Sequence, residues 1–179
     1  NLLQQLAAQG QTFFQSSGDS DAYDNASPPP APTDNPFVTA VGGTTLTTSS
    51  GDWSSETVWN WGLYQGSYDG SGGGSSIYYS IPDWQTNIDM AIPQGSPTNR
   101  NIPDVALTAD NIFVIADDGQ PEYGIGGTSC AAPLWAGFAA LINQQAVGAG
   151  KTNVGFLNPA IYAIAGETKC VRPPRPWRP

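Results

Sequence analysis

The chain has 179 residues, enough for one domain with a real core, and carries 6 basic residues against 15 acidic ones for a net charge of −9. So few cations exclude nucleic acid and anionic membranes as natural partners. The absence of histidine excludes a Ser-His-Asp triad built from this chain alone, so a base must be a carboxylate or come from elsewhere.

Low charge with abundant Ser, Thr, Gly, Asn and Trp suits a secreted protein, and a pI near 4.1 keeps charge repulsion modest in acid. Two cysteines are too few for a disulfide scaffold. No stretch reaches the ~20 apolar residues that a membrane span needs. The sequence begins at Asn1 inside a helical pattern, without an initiator Met or a signal peptide, and reads as a fragment or processed piece.

Leu2, Leu3, Leu6 and Ala7 share one helical face, and Gly10 stops the helix. Thr12-Phe13-Phe14-Gln15 then reads as a short buried strand. A helix feeding a strand is half of a β-α-β unit and implies a parallel sheet. The strand runs into Ser16-Ser17-Gly18-Asp19-Ser20-Asp21. In an open α/β sheet chemistry gathers at the carboxyl ends of strands, and Asp19 stands at one. Taken alone, such a cluster is also ordinary turn chemistry, the reading given to Asp21 and Asp24.

Pro28 to Pro32 forms a stiff surface connector. The segment from Pro36 to Thr44 reads as a buried strand closed by a glycine turn, and Thr57-Val58-Trp59-Asn60-Trp61 alternates like a strand. Gly70 to Ser75 reads as a flexible loop and lacks the residue order of a phosphate cradle. In Arg100-Asn101-Ile102-Pro103-Asp104-Val105-Ala106, Asp104 is a candidate acid, with pairing to backbone N–H groups or Arg100 the preferred reading. Ile112 to Ala116 and Glu122 to Ile125 read as two strands about a hairpin turn at Asp117-Asp118-Gly119.

Gly126-Gly127-Thr128-Ser129-Cys130-Ala131-Ala132-Pro133 organises the rest. Two glycines permit a tight turn, Thr128 or Ser129 can cap the helix that follows, and Pro133 is tolerated in a first helical turn. From Cys130 to Ile142 the helix is uncharged and apolar all round, which predicts burial. A serine at such an N-terminus faces unpaired N–H groups and the positive end of the helix dipole. Both would stabilise the oxyanion formed when that serine attacks a carbonyl. On residue chemistry alone, Ser129 is either a nucleophile or a plain cap. Cys130 reads as a small buried hydrophobe rather than a reactive thiol. Further on, Asn158 caps and Pro159 opens a short helix. Residues 1–166 read as one partial domain and 167–179 as an atypical, disordered Arg/Pro-rich tail with Cys170 in it. From Val171 onward that tail holds no carboxylate.

The string from Gly127 to Gly137 resembles the nucleophile segment of the subtilisin-like serine peptidases. At this length it is most similar to their sedolisin branch, the serine-carboxyl peptidases. Ser17-Gly18-Asp19-Ser20, the 36–44 segment, Pro82-Asp83-Trp84-Gln85, the 100–106 segment and the 155–162 segment resemble further parts of that family. The resemblance implies an α/β fold: a subtilisin-like three-layer α/β/α arrangement with a mainly parallel sheet, here incomplete and corresponding to the C-terminal part of the catalytic domain. It implies that Ser129 is the nucleophile and that Asp19 donates to the oxyanion where subtilisins use Asn. A carboxyl group donates only while protonated, so acid activity follows.

By the same analogy Ser17, Gly18, Gly127 and Thr128 line the substrate site. The family's Glu base and its Asp partner fall on a helix before residue 1. Its calcium site falls where the tail departs from the pattern, so no cofactor or metal is expected in this chain. The complete protein is expected to be a secreted, monomeric, serine-type endopeptidase acting on proteins or peptides in acid, with the isolated chain inactive for want of the base. Two alternatives compete: a catalytically inactive remnant of the family, and a secreted glycan-binding module using Trp59 and Trp61.

Overall fold

A computed structural model describes residues 2–23, 26–64, 66–90 and 95–166. Asp24, Cys170 and the Arg/Pro-rich tail lie outside the described residues. The chain opens with helix α1 (Leu2–Ala8). Gly10, at φ +72°, ends it in a left-handed conformation that glycine adopts without penalty.

Strand β1 (Phe14–Ser16) pairs in parallel with β3 (Thr39–Ser49), Phe14 opposite Thr39 and Ser16 opposite Val41. On the other side of β3 lies β8 (Val105–Thr108), also parallel. The expected parallel pairing therefore forms the centre of this sheet. Its fourth strand, β4 (Asp52–Val58), folds back antiparallel on the far half of β3. In the second sheet, β2 (Ser20–Ala22) runs parallel to β6 (Ser67–Ser80), while β5 (Asn60–Tyr64) and β7 (Asn99–Ile102) are antiparallel to it. The hairpin β9 (Ile112–Ala116) and β10 (Gln120–Ile125) turns at residues 117–119 as the sequence predicts, and leads directly to α2 (Thr128–Gly148). Helix α3 (Asn158–Gly166) packs on a 3-10 turn at Asp83–Gln85.

Helix α2 lies on β1, β3 and β8. Val41, Trp59, Ala109, Ala131 and Ala132 are buried together there, with Phe14, Trp61, Val105, Leu107 and Trp135 packed around them. Ala131 and Ala132 bring the helix close to the sheet, and Trp135 fastens it through an Nε1–H bond to the Ala106 carbonyl at 2.9 Å.

Several local expectations are corrected. The strand expected over 57–61 breaks at Trp59. Its N–H donates to Gly43 of the first sheet at 3.0 Å, and its carbonyl accepts from Ser71 of the second at 2.9 Å. Trp59 is thus the residue at which the chain changes sheets, and burial of its indole fixes the point. Residues 70–75 are not a loop but the middle of β6. Glycine is used there for close approach. A Cβ on Gly70 would stand 2.0 Å from Asp21 Oδ1, and one on Gly72 2.6 Å from the Ser17 carbonyl. Gly42 and Gly43 lie inside β3 for the same reason, Pro103 and Ala109 occupying the space beside them. Asn158 does not cap α3 with its side chain. Fully buried, it donates to the Val38 carbonyl and meets Thr39 Oγ1, tying α3 to the start of β3.

Helix α2 is not buried all round. Leu134, Phe138 and Leu141 are 44, 50 and 63 % exposed, because the sheet covers one side only. Pro133 falls six residues into the helix, beyond the first turn, so the Ser129 carbonyl lacks its usual helical donor.

Candidate active site

The strand order brings two distant segments together. β1 ends in the first sheet and β2 begins in the second, so Ser17-Gly18-Asp19 crosses between them over the N-terminus of α2. Ser17 N–H donates to the Val41 carbonyl at 2.8 Å, and Gly72 N–H to the Gly18 carbonyl at 2.7 Å, which fixes the crossing at both ends. Gly18 has φ +108°, and Tyr23 Oη lies 1.9 Å from where its Cβ would be. No larger residue fits that bend.

Asp19 then meets the helix start. Its Oδ1 accepts from Thr128 N and from Thr128 Oγ1, both at 2.7 Å, and Thr128 Oγ1 accepts from Gly18 N at 3.1 Å. The cap of α2 is therefore the Asp19 carboxyl, 109 residues away, rather than the hydroxyl of Thr128 or Ser129. The helix dipole favours an oxygen at that point. Asp19 Oδ2 faces Gly127, 3.1 Å from where a Cβ would sit. Gly127, at φ +122°, supplies the turn and leaves this oxygen room.

Ser129 is exposed at the first turn of the helix, one residue after the anchored Thr128. Ser17 and Thr128 are fully buried and act from behind. Gly18, Asp19 and Ser129 provide the accessible surface of this junction. Burial, reinforced by the charge of Asp19, pushes the Cys130 thiol up from its ordinary value. The same two causes push the Tyr23 phenol up. Cys130 is half-buried rather than the buried hydrophobe that the sequence suggests.

Asp104 takes no part here. Its side chain is fully buried and paired with Arg100 at 2.5 Å. It accepts from Ala40 N at 2.8 Å and from Tyr162 Oη at 3.0 Å. This is the structural pairing the sequence suggested, joining β3, β7 and α3. Trp59 is 2 % exposed and offers no face on which a sugar could stack. Among the described residues no three His, Cys, Asp or Glu side chains cluster so as to hold a metal ion. No described helix is long and apolar enough to cross a membrane. Sequence reasoning missed Asp110 and the placement of Trp61: the Trp61 Nε1–H donates to Asp110 Oδ1 at 2.9 Å, and the ring packs on Gly126. Nothing local signals a contact between residues so far apart.

No family model matches the chain. Kumamolisin of Bacillus sp. (strain MN-32) is 39 % identical over 169 residues, covering 90 % of this chain and 29 % of that protein. Sedolisin of Pseudomonas sp. (strain 101) is 39 % identical over 175 residues, covering 90 % and 28 %. The chain thus spans less than a third of the length of the curated relatives it matches. The solved structure of Pseudomonas sedolisin, a serine-carboxyl proteinase complexed with two molecules of pseudo-iodotyrostatin, superposes with a TM-score of 0.76 at 36 % identity. That match covers 93 % of this chain and 46 % of the solved one. A likeness that runs through nine-tenths of the chain and persists in three dimensions marks common descent: the chain belongs to the sedolisin family.

Proposed function

We propose that the chain carries the nucleophile part of a secreted serine-type endopeptidase that hydrolyses peptide bonds of proteins or peptides in acid. The observation that carries this reading is the Asp19 carboxyl seated on the N-terminus of the helix that bears exposed Ser129. In this reading Ser129 Oγ attacks the scissile carbonyl carbon, and its proton passes to a Glu base outside residues 1–179. The carbonyl oxygen becomes an oxyanion. Asp19 Oδ1 is engaged by Thr128, so Oδ2 is the atom that carries the proton and donates it to the oxyanion. Collapse expels the amine, which takes up a proton, and water then hydrolyses the acyl ester on Ser129. Gly18 presents backbone to the substrate, while Gly127, expected at the substrate surface, is buried and with Ser17 and Thr128 holds the junction in shape from behind.

The test uses the longer protein that contains residues 1–179 together with the base. Ser129→Ala should abolish acid peptide hydrolysis and leave the melting temperature and circular dichroism unchanged. Hydrolysis near the wild-type rate would sink the assignment.

A further inference from the structure

We propose that Trp61 is a positioning residue that holds the Gly126–Ser129 turn in place for attack; this deepens the peptidase reading and rests on it. Consecutive Gly126 and Gly127 make the backbone before Ser129 intrinsically loose. Its order has to come from outside the turn, and beside the Gly18 N–H bond to Thr128 Oγ1 at 3.1 Å three contacts supply it. Asp19 grips Thr128 at 2.7 Å. The Ala109 carbonyl accepts from Gly127 N at 2.8 Å. The third contact is the Trp61 ring, whose Cη2 and Cζ2 lie 2.5 and 2.6 Å from where a Gly126 Cβ would stand. The indole is pressed against Gly126 on the face that the Ala109 carbonyl also borders, 3.2 Å from the same Cβ position.

Trp61 is aimed there by the fold. The pairing of β5 with β6 shifts register between Asn60 and Gly62, so Trp61 sits at an irregularity of the β-bulge kind. Bulges re-aim a side chain. Gly62, at φ +67°, makes the shift possible, and its N–H donates to Asn60 Oδ1 at 2.6 Å. The ring is then fixed on two sides. It meets buried Trp59 edge-on, with centroids 5.3 Å apart and planes at 86°. Its Nε1–H donates to Asp110 Oδ1, while Asp110 Oδ2 accepts from Thr45 Oγ1, both at 2.9 Å. One dipeptide therefore grips the turn twice: Ala109 directly, and Asp110 through Trp61.

A displacement of ~1 Å in a reacting group can cost ~100-fold in rate, so a turn that loses the indole but keeps its hydrogen bonds should lose about tenfold. The loss should fall on kcat, with KM within about twofold of wild type, because Trp61 acts on the nucleophile rather than on the substrate. The experiment measures kcat and KM in acid for Trp61→Ala, Trp61→Phe and Asp110→Ala in the full-length protein, together with hydrogen exchange of the 125–130 amides. Trp61→Ala should show the kcat loss and faster exchange. Trp61→Phe keeps a ring on Gly126 and should recover most of the rate. A wild-type kcat for Trp61→Ala, or a change in KM alone, would overturn the inference. If Trp61→Ala does not fold, Asp110→Ala decides. It releases the indole without emptying its site, and a lower kcat at unchanged melting temperature supports the role, whereas a wild-type kcat refutes it. Ser129→Ala is the control. Activity that survives it overturns the peptidase reading and this inference together. An inactive Ser129→Ala beside a fully active Trp61→Ala overturns the role of Trp61 alone.

Discussion

Replacing Asp19 tests two roles of one carboxyl separately. Its Oδ1 holds Thr128 N and Oγ1, and its Oδ2 faces Gly127. Asp19→Ala removes both the cap and the donor. A hydrogen bond to a neutral acceptor contributes ~0.5–1.5 kcal/mol, and these two share one partly exposed oxygen, so about 1–2 kcal/mol of stability should be lost in total. The missing oxyanion donor should lower kcat by a further ~10²–10³ at every pH. Asp19→Asn separates the roles. Its Oδ1 accepts the same two bonds, and its Nδ2 donates from the Oδ2 position whatever the pH. Stability should therefore match wild type. Activity should persist to higher pH than in the wild type, whose carboxyl stops donating once it loses its proton. The assay is a pH–rate profile and a denaturant melt for wild type and both variants, in the longer protein that supplies the base. An Asp19→Ala enzyme as fast as wild type throughout the acid range would refute the donor role. An Asp19→Asn enzyme as unstable as Asp19→Ala would refute the cap.

Two further outcomes are expected. Gly127→Ala places an L-residue at φ +122° with its Cβ 3.1 Å from Asp19 Oδ2; it should cost about 1–3 kcal/mol in a denaturant melt, and an unchanged midpoint would show that the turn relaxes freely. Burial pushes the Asp104 carboxyl up from its ordinary value, with Arg100 pulling against it. A carboxyl raised in the folded state binds its proton more tightly there than in the unfolded chain, so its stabilisation is full below the unfolded value and is lost as pH rises through the folded one. Melting temperature should thus decline more steeply with rising pH in wild type than in Asp104→Asn, and parallel curves would contradict that direction.

Much of the fold was legible because its signals are local. Gly10 ends α1 by its own left-handed backbone, and Asp117-Asp118-Gly119 turns the β9–β10 hairpin within three residues. What sequence periodicity could not show are the places where a residue answers to a neighbour far along the chain. Trp59 and Trp61 continue an alternating pattern, yet one bridges two sheets and the other sits at a bulge that turns it toward Gly126. The glycines of β6 look like a loop because glycine usually marks one. Here they make room for Asp21, Tyr23 and the Ser17 backbone.

Asp19 shows why a site is harder to read than a fold. Asp favours turns because its short carboxyl bonds to nearby backbone N–H groups. At Asp19 the same chemistry operates, but the N–H it satisfies belongs to Thr128, 109 residues later. A turn residue and a helix cap are then one interaction at two sequence separations, and residue type cannot tell them apart. The parallel pairing of β1 with β3 distinguishes them, because it carries the 17–19 crossing over the start of α2. Once there, Oδ1 is consumed by Thr128, and only Oδ2 remains to meet a ligand. Asp19→Asn is therefore the decisive substitution, because it preserves the structural oxygen and changes only the atom assigned to the chemistry.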